Sequence, residues 1–390
     1  MTIEGTAAAG GPRRIRLGMV GGGKDAFIGA VHRIAARIDD DYELVAGALS
    51  STPEKAQASG AMLGLAKDRT YDDYATMAKR EARRKNGIEA VAIVTPNHMH
   101  APVAREFLKR GIHVICDKPL TATLTEAKRL QKAAADSGTL FILTHNYTAY
   151  PMIRQAQAMV ADGKLGKIRV VQVEYAQDWL ATPVEQSGSK QAGWRTDPAQ
   201  SGAGGATGDI GTHAFNIAGF VTGLRLESLA ADLQHFVPGR RLDDNANVLL
   251  RYEGGARGML WCSQVATGNE NALRLRVYGE KGGLEWEQEE PNKLWFTPLG
   301  QPKQLLTRGG SGADANAARV SRTPGGHPEG YLEGFANIYA EAARAIRARR
   351  EHKPVPKEVI YPTLEDGVAG VAFVEACVKS SAKNGAWVTP

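Results

Sequence analysis

Cysteine is scarce in this chain, and its three copies, Cys116, Cys262 and Cys377, lie far apart without a C-x-x-C spacing. This distribution argues against a disulfide framework and against a zinc ribbon, and it fits a reducing cytosol. Long apolar runs are also missing, and the first residues lack the apolar core of a signal peptide. We therefore expect a soluble, cytoplasmic protein without a membrane partner.

The 390-residue chain has fewer acidic than basic residues, 42 against 48, and so carries a formal net charge of +6. The basic residues are scattered, however, and their densest run, at 344–353, is typical of the exposed end of a helix. A nucleic-acid partner is therefore not expected. With 43% hydrophobic and 23% charged residues, the composition is that of a globular protein, and the length allows two domains.

Short apolar, β-branched runs alternate with helical segments from residue 14 to about residue 148. The predicted strands are 15–21, 42–50, 89–96, 113–119 and 139–146. A helix is expected at 27–38, and another begins near Pro53, a residue suited to the first turn of a helix. This alternation predicts a parallel sheet with helices on both faces.

The pattern changes after a predicted helix at 150–167. Six runs with alternating hydrophobicity, beginning with "IRVVQVEYA", predict a mostly antiparallel sheet with a hairpin turn at 252–258. A glycine-rich loop is expected at 307–330, and two helices, 328–350 and 365–381, close the chain. The expected class is therefore α/β, with a flexible tail at 1–13, a Rossmann domain at 14–148 and an α+β domain at 149–390.

A glycine-rich turn follows the first strand and opens a helix, which is the setting in which such a turn binds a dinucleotide. Gly21, Gly23 and Ala26 fit the pattern G-x-G-x-x-A, with Gly29 as an alternative third small residue. Glycines let the backbone approach a pyrophosphate at the positive end of a helix, whereas the alternative is a tight turn alone. The residues predicted to bind the cofactor here are Gly21, Gly22, Gly23, Ala26, Phe27 and Ile28.

The end of the second strand bears on the choice between NAD and NADP. An acid at this point usually binds the ribose hydroxyls of NAD, but this chain has Ser50 and Ser51, with Lys55 nearby. The hydroxyls and the lysine could accommodate a 2′-phosphate, or the segment could be a simple turn with NAD held elsewhere. NAD and NADP both remain possible cofactors.

Three polar residues carry the strongest chemical signal. Lys118 stands directly after an apolar strand, where a charged side chain needs a partner or a ligand. Asp209 and His213 are four residues apart on one face of a predicted helix, and a histidine with a carboxylate nearby is a good proton acceptor. A packed, structural histidine is the alternative. No third ligand follows at a suitable spacing, so no metal site is predicted.

Together these segments resemble the Gfo/Idh/MocA oxidoreductase family over nearly the whole chain from residue 14. The matching pieces are the glycine-rich turn, "VTPNHMH", "CDKP", "THNY", "WRTDPAQSGAGGATGDIGTH" and the terminal helices. The resemblance implies that Lys118, Asp209 and His213 line the substrate site beside the nicotinamide. It also implies that the second domain binds substrate and forms a homo-oligomer, either a dimer or a tetramer.

The resemblance implies further cofactor contacts. They involve Thr95, Pro96, Asn97, His100, Asp117, Lys118, Asn146, Trp194 and Arg195. Asp117 stands where the family usually has a glutamate, so its contacts differ by one methylene. His98 and His145 receive no role and are interpreted as loop histidines.

The function expected from these residues is reversible hydride transfer between a secondary hydroxyl of a sugar, glycoside or cyclitol and a nicotinamide. His213 is the predicted general base, Asp209 orients the substrate or the imidazole, and Lys118 stabilises charge on the reacting oxygen. One alternative is an NAD-dependent glycosidase that oxidises its sugar transiently. Another is a cofactor-sensing regulator without catalytic activity.

Overall fold

The computed structural model of the chain describes residues 13–24 and 26–390. Residues 1–12 of the predicted flexible tail lie outside the described residues. In the described part of the chain, no helix is both long enough and apolar enough to cross a membrane.

The first sheet has five parallel strands in the order β2-β1-β3-β4-β5, as the alternation of apolar runs predicts. Its strands are β1 Ile15–Gly21, β2 Tyr42–Ala48, β3 Ala90–Val94, β4 His113–Cys116 and β5 Phe141–Leu143. The helices that connect and follow them are α1 Phe27–Ile38, α2 Pro53–Met62, α3 Tyr74–Glu81, α4 Asn97–Leu108 and α5 Leu124–Ser137. Every residue of β3 is buried, because helices cover both faces of the sheet.

The second sheet has eight strands in the order β13-β12-β11-β10-β6-β9-β8-β7, and only the β6–β9 pair is parallel. Its strands are β6 Ile168–Ala176, β7 Leu226–Gln234, β8 Asn245–Tyr252, β9 Arg257–Ser263, β10 Ala272–Gly279, β11 Gly282–Glu287, β12 Lys293–Pro298 and β13 Gln304–Thr307. The remaining helices are α6 Pro151–Ala161, α7 Lys190–Arg195, α8 Pro198–Ser201, α9 Thr212–Thr222, α10 Ala315–Arg319, α11 Tyr331–Arg350 and α12 Leu364–Ser381. The mostly antiparallel sheet and the hairpin between β8 and β9 are as predicted.

Two strands of this sheet, β7 and β13, were not predicted from the sequence, and both lie at its edges. The β7 segment, "LESLAADLQ", is rich in residues that favour helices, so tertiary contacts decide its conformation. It pairs with β8 on one side, and on the other its Ala231 amide donates to Ser380 Oγ of α12 at 2.8 Å. The inner face of the sheet packs on α6, α9 and α12 in one apolar core.

Helix α11 lies late in the chain but packs on the first sheet. Phe335, Ile338 and Ile346 share an apolar core with Ile15 and Leu17 of β1. The sequence places this helix in the second domain, whereas its packing makes it part of the core of the first.

The glycine-rich turn is held by close backbone contacts. Gly21 and Gly22 have positive φ angles of 79° and 68°, a conformation that residues with a Cβ rarely adopt. A Cβ on Gly29 would lie 2.4 Å from Gly22 Cα, so Gly29 is the small residue at which α1 packs against the turn. Ala26 stands at the N-cap position of α1 instead.

Replacing Gly29 with alanine is expected to destabilise the protein by about 1–3 kcal/mol, because the turn must move away from the new methyl group. Gly219→Ala in α9 is the matched control. No atom lies within 4 Å of its added Cβ, so this variant should be as stable as the parent or slightly more stable. Chemical denaturation of both variants measures the difference, and equal midpoints would contradict the proposed contact.

Candidate active site

A cleft of about 820 Å³ lies between the two domains, beside the carboxyl ends of β4 and β5. Ligands of open parallel sheets bind at this edge. Asp117 and Lys118 reach the cleft from the segment after β4, and Asn146 reaches it from the segment after β5. Asp209 and His213 approach from the second domain, so the structure brings the three predicted catalytic residues into one cavity.

Lys118 is anchored on Asp209 across the domain boundary. Its Nζ donates to the backbone oxygen of Asp209 at 2.7 Å and to Oδ1 of the same residue at 2.8 Å. Asp209 lies in a π-helical turn, Thr207–Gly211, which leads directly into α9. Such turns are rare and are frequent at functional sites. An ammonium group has three donors, so one N–H of Lys118 remains for a ligand.

The second carboxylate oxygen of Asp209 is also occupied. Its Oδ2 accepts from Arg195 Nε at 3.1 Å and from Gln264 Nε2 at 2.9 Å. Burial by itself raises the pKa of Asp209, but the charges of Lys118 and Arg195 outweigh it and lower that pKa below its usual value. Asp209 is therefore an ionised anchor and not a proton acceptor at neutral pH.

His213 is buried in the first turn of α9 among aromatic rings. Its ring centroid lies 4.8 Å from that of Tyr147 and 5.2 Å from that of His145. Its Nδ1 lies 3.4 Å from Nδ1 of His145. Burial, followed by the charge of Lys118, lowers the pKa of His213 well below 6.5, so the imidazole is neutral at pH 7.

Within the described residues, Asp209 makes no hydrogen bond to His213, and this corrects the role expected for it at the imidazole. Among the described residues, the polar partner of the imidazole is His145, to which the sequence assigned no role. The sequence feature that could have indicated a role for His145 is its position directly before Asn146, just after β5.

A polar network forms the wall of the cleft and was also missed from the sequence. Asn271 is its centre: its Oδ1 accepts from Tyr175 and from Gln177, each at 2.7 Å. Its Nδ2 donates to Gln288 Oε1 at 2.9 Å. The Tyr147 and Tyr175 hydroxyls lie 2.7 Å apart, and Tyr175 donates to Asn271, so Tyr147 donates to Tyr175. These hydroxyl protons are thus engaged within the protein.

The glycine-rich turn and the polar groups near it, between the turn and the cleft, fit a dinucleotide. The turn at 21–23 has no room for a Cβ at any of its three glycines, which leaves bare backbone beside the start of α1. Asn146 Nδ2 and Thr95 Oγ1 are buried and have no partner among the described residues. Buried polar groups are normally satisfied, so these two atoms fit a polar ligand. Phe27 and Ile28 line the same cleft.

Some predicted cofactor contacts have their polar atoms turned to the protein instead. Asn97 Nδ2 donates to the backbone oxygen of Ser201 at 2.9 Å. The two ring nitrogens of His100 each lie 2.8 Å from a backbone oxygen, those of Pro119 and Thr95. These side chains hold the loops after β3 and β4, and Pro96 is the N-cap residue of α4.

Asp117 and Trp194 support residues that line the cleft. Oδ1 of Asp117 accepts from the Lys118 amide at 2.9 Å and from Thr144 Oγ1 at 3.0 Å. The Trp194 ring lies 4.2 Å from the guanidinium carbon of Arg195, and Arg195 itself lines the cleft. Trp194 therefore positions Arg195.

The segment after β2 lies beside the glycine-rich turn. The Gly23 amide donates to the Leu49 oxygen at 3.1 Å. Ser50 Oγ accepts from the Thr52 amide at 3.3 Å, and Ser51 and Lys55 are exposed. No carboxylate occurs between Leu49 and Thr52.

Two family models match the chain. The oxidoreductase family with an NAD-binding Rossmann fold matches residues 15–145, and the GFO/IDH/MocA C-terminal domain matches residues 153–285. The cofactor domain is therefore an NAD-binding Rossmann domain.

Solved structures resemble the whole chain. An oxidoreductase from Sinorhizobium meliloti is 63% identical, with a TM-score of 0.89 over 97% of this chain and 100% of that one. An inositol dehydrogenase homolog from Azotobacter vinelandii, complexed with NADH and myo-inositol, is 39% identical, with a TM-score of 0.91 over 97% and 98% of the two chains. Levoglucosan dehydrogenase of Pseudarthrobacter phenanthrenivorans is 26% identical over 96% of this chain and 98% of its own.

Ser50→Asp is expected to lower kcat/KM with NADP relative to NAD by about tenfold or more, because a carboxylate would repel a 2′-phosphate. The ratio of the two kcat/KM values measures this effect. Ser50→Ala is the control that removes the hydroxyl without adding charge. If the ratio does not respond to Ser50→Asp, Ser50 does not face the ribose.

Proposed function

The chain belongs to the Gfo/Idh/MocA family of oxidoreductases, and from this premise we propose that it is an NAD-dependent dehydrogenase of cyclitols, sugars or glycosides. It transfers a hydride between a secondary hydroxyl group and the nicotinamide. The observation that carries this proposal is the pairing of an anchored lysine, Lys118, with a neutral histidine, His213, in one polar cleft. Oxidation of an alcohol by hydride transfer is accelerated by a proton acceptor for its hydroxyl group and by a positive group that stabilises negative charge on its oxygen.

Bound NAD supplies the acceptor for the hydride. The chain would hold it through the backbone of the glycine-rich turn and through the unpaired groups of Thr95 and Asn146. The remaining chemistry belongs to the protein. His213 takes the hydroxyl proton, and the free N–H of Lys118 donates to the oxygen on which negative charge develops.

Asp209 acts through Lys118 in this scheme. With its backbone oxygen and its carboxylate it fixes two of the three ammonium donors. The third donor therefore has a defined direction before substrate binds, which avoids reorganisation during the reaction. Arg195 and Gln264 hold the same carboxylate from the other side.

The cleft wall suits a substrate with several hydroxyl groups. Gln177, Trp179, Glu270 and Glu289 line it, so that polar side chains and two carboxylates lie beside an aromatic face. The proteins with similar sequences or structures include one complexed with myo-inositol and one named for levoglucosan. These compounds support a cyclitol or a compact sugar as the substrate class.

A substrate screen tests the proposal directly. Inositols, monosaccharides, levoglucosan and aryl glycosides are incubated with NAD or NADP, and reduced cofactor and released aglycone are recorded together. Formation of reduced cofactor with at least one polyol supports the dehydrogenase. Release of aglycone without net cofactor reduction would replace it with the redox-neutral glycosidase, and turnover of none of these compounds would overturn the substrate class.

Lys118→Met should fold and bind NAD but lose about a hundredfold or more in hydride transfer, because a positioned donor to the developing charge is lost. Lys118→Arg should restore little, since a planar guanidinium does not replace a compact ammonium. Lys109→Met, at an exposed ion pair with Glu106, is the control. Single-turnover rates and NAD affinity are measured on the same preparations, and normal hydride transfer in Lys118→Met would exclude the assigned role.

The pH dependence of alcohol oxidation should report the lowered pKa of His213. A base must be unprotonated, and a depressed pKa keeps His213 unprotonated as the pH falls through 6.5. The acid limb of kcat/KM is therefore expected below pH 6.5, the usual pKa of histidine. Circular dichroism at each pH verifies the fold, and an acid limb above 6.5 in folded protein would contradict the assignment of His213 as the base.

A further inference from the structure

The contact between His213 and His145 joins two neutral imidazoles through their Nδ1 atoms. The two nitrogens lie 3.4 Å apart, and both rings are buried. Burial, and then the charge of Lys118, lowers the pKa of both, to about 3 for His145. A neutral imidazole has one N–H, and two facing nitrogens can share only one proton. One histidine therefore donates at Nδ1, and the other accepts.

The direction of this hydrogen bond determines what His213 presents to the cleft. If His145 donates, His213 carries its proton on Nε2 and offers a donor to the substrate. If His213 donates, its Nε2 has a free lone pair. The hydrogen bond of one ring nitrogen sets the tautomer of the other in this way.

The surroundings favour His213 as the donor. Lys118 already offers one N–H to the cleft, and both carboxylate oxygens of Asp209 accept from Lys118, Arg195 or Gln264. The hydroxyl protons of Tyr147 and Tyr175 are engaged within the protein network. A substrate hydroxyl must give its proton to an acceptor, and at this point of the cleft the Nε2 lone pair of His213 supplies one.

His145 is also the only polar partner of the His213 imidazole among the described residues. The aromatic contacts with Tyr147 and Tyr175 hold the ring but exchange no proton with it. The tautomer of His213 is therefore controlled at a single contact.

We propose that His145 is a positioning residue that accepts the Nδ1 proton of His213 and so keeps Nε2 unprotonated toward the substrate. The inference rests on the proposed role of His213 as the base. It assigns a function to the residue directly before Asn146, so that neighbouring residues of one loop serve the base and the cofactor side of the cleft.

Two substitutions of similar size test this role. In His145→Asn the amide Oδ1 can stand in for Nδ1 as an acceptor, whereas His145→Leu fills the space without one. We expect kcat/KM for oxidation to fall roughly tenfold or more in His145→Leu, as for the loss of one hydrogen bond, and to stay within about threefold of the parent in His145→Asn. NAD affinity, measured by fluorescence titration, should be the same in all three proteins.

Nitrogen NMR of histidine-labelled protein provides a readout independent of turnover. The signal lost in His213→Ala identifies His213, and its shifts report which ring nitrogen carries the proton. A proton on Nδ1 supports the proposal, and a proton on Nε2 in the parent protein overturns it, even if His145→Leu fails to fold.

The outcomes also separate this inference from the proposed function. If His213→Ala retains turnover on the identified substrate, His213 is not the base and the proposed chemistry fails. If His213→Ala is inactive while folded His145→Leu keeps the parent's kcat/KM and pH profile, only the positioning role of His145 is overturned. Equal losses in His145→Asn and His145→Leu would also overturn it, because they would indicate packing instead of an acceptor.

Discussion

The ion pair between Lys118 and Asp209 is the interaction on which the candidate site depends. It joins the segment after a strand of the first sheet to a helical turn of the second domain, and each side chain is 14% exposed. Charges that are partly buried are costly unless they are paired, so each of these two groups needs the other across the domain boundary. The domains must therefore dock with these two groups in register, and the same docking brings His213 beside the lysine.

The remaining side chains of the cleft are satisfied in a way that leaves few free polar atoms. Asn271 accepts hydrogen bonds from Tyr175 and Gln177. Asp209 accepts hydrogen bonds from Lys118, Arg195 and Gln264. Such a network fixes the wall of the cleft and avoids unpaired buried groups. Around Lys118 and His213, the groups that stay available are one lysine donor, the His213 ring and, on the cofactor side, the unpaired atoms of Thr95 and Asn146, and these are the groups that the proposed hydride transfer uses.

Much of this arrangement was predictable from the sequence, because local patterns encode it. Buried parallel strands appear as apolar runs, and Lys118 stood out because a charge followed such a run. The edge strand β7 was not predictable, since its composition favours a helix and α12 holds it in place. The Asn271 network and the His145 contact were missed because they join residues from distant segments, whose approach depends on the tertiary fold. The sequence allowed either Ala26 or Gly29 as the third small residue of the glycine-rich motif. Only the close packing of α1 against Gly22 distinguished Gly29 from Ala26.

The late position of helix α11 in the chain affects how the first domain folds during protein synthesis. Its residues Phe335 and Ile346 belong to the same apolar core as Ile15 of β1, although more than three hundred residues separate them from Ile15. Domains usually fold in order as the chain leaves the ribosome. Here the first domain emerges early with one apolar face incomplete, and that face stays open until nearly the whole chain is translated. During that interval the nascent chain presents a surface that chaperones can bind, and truncated products expose it permanently.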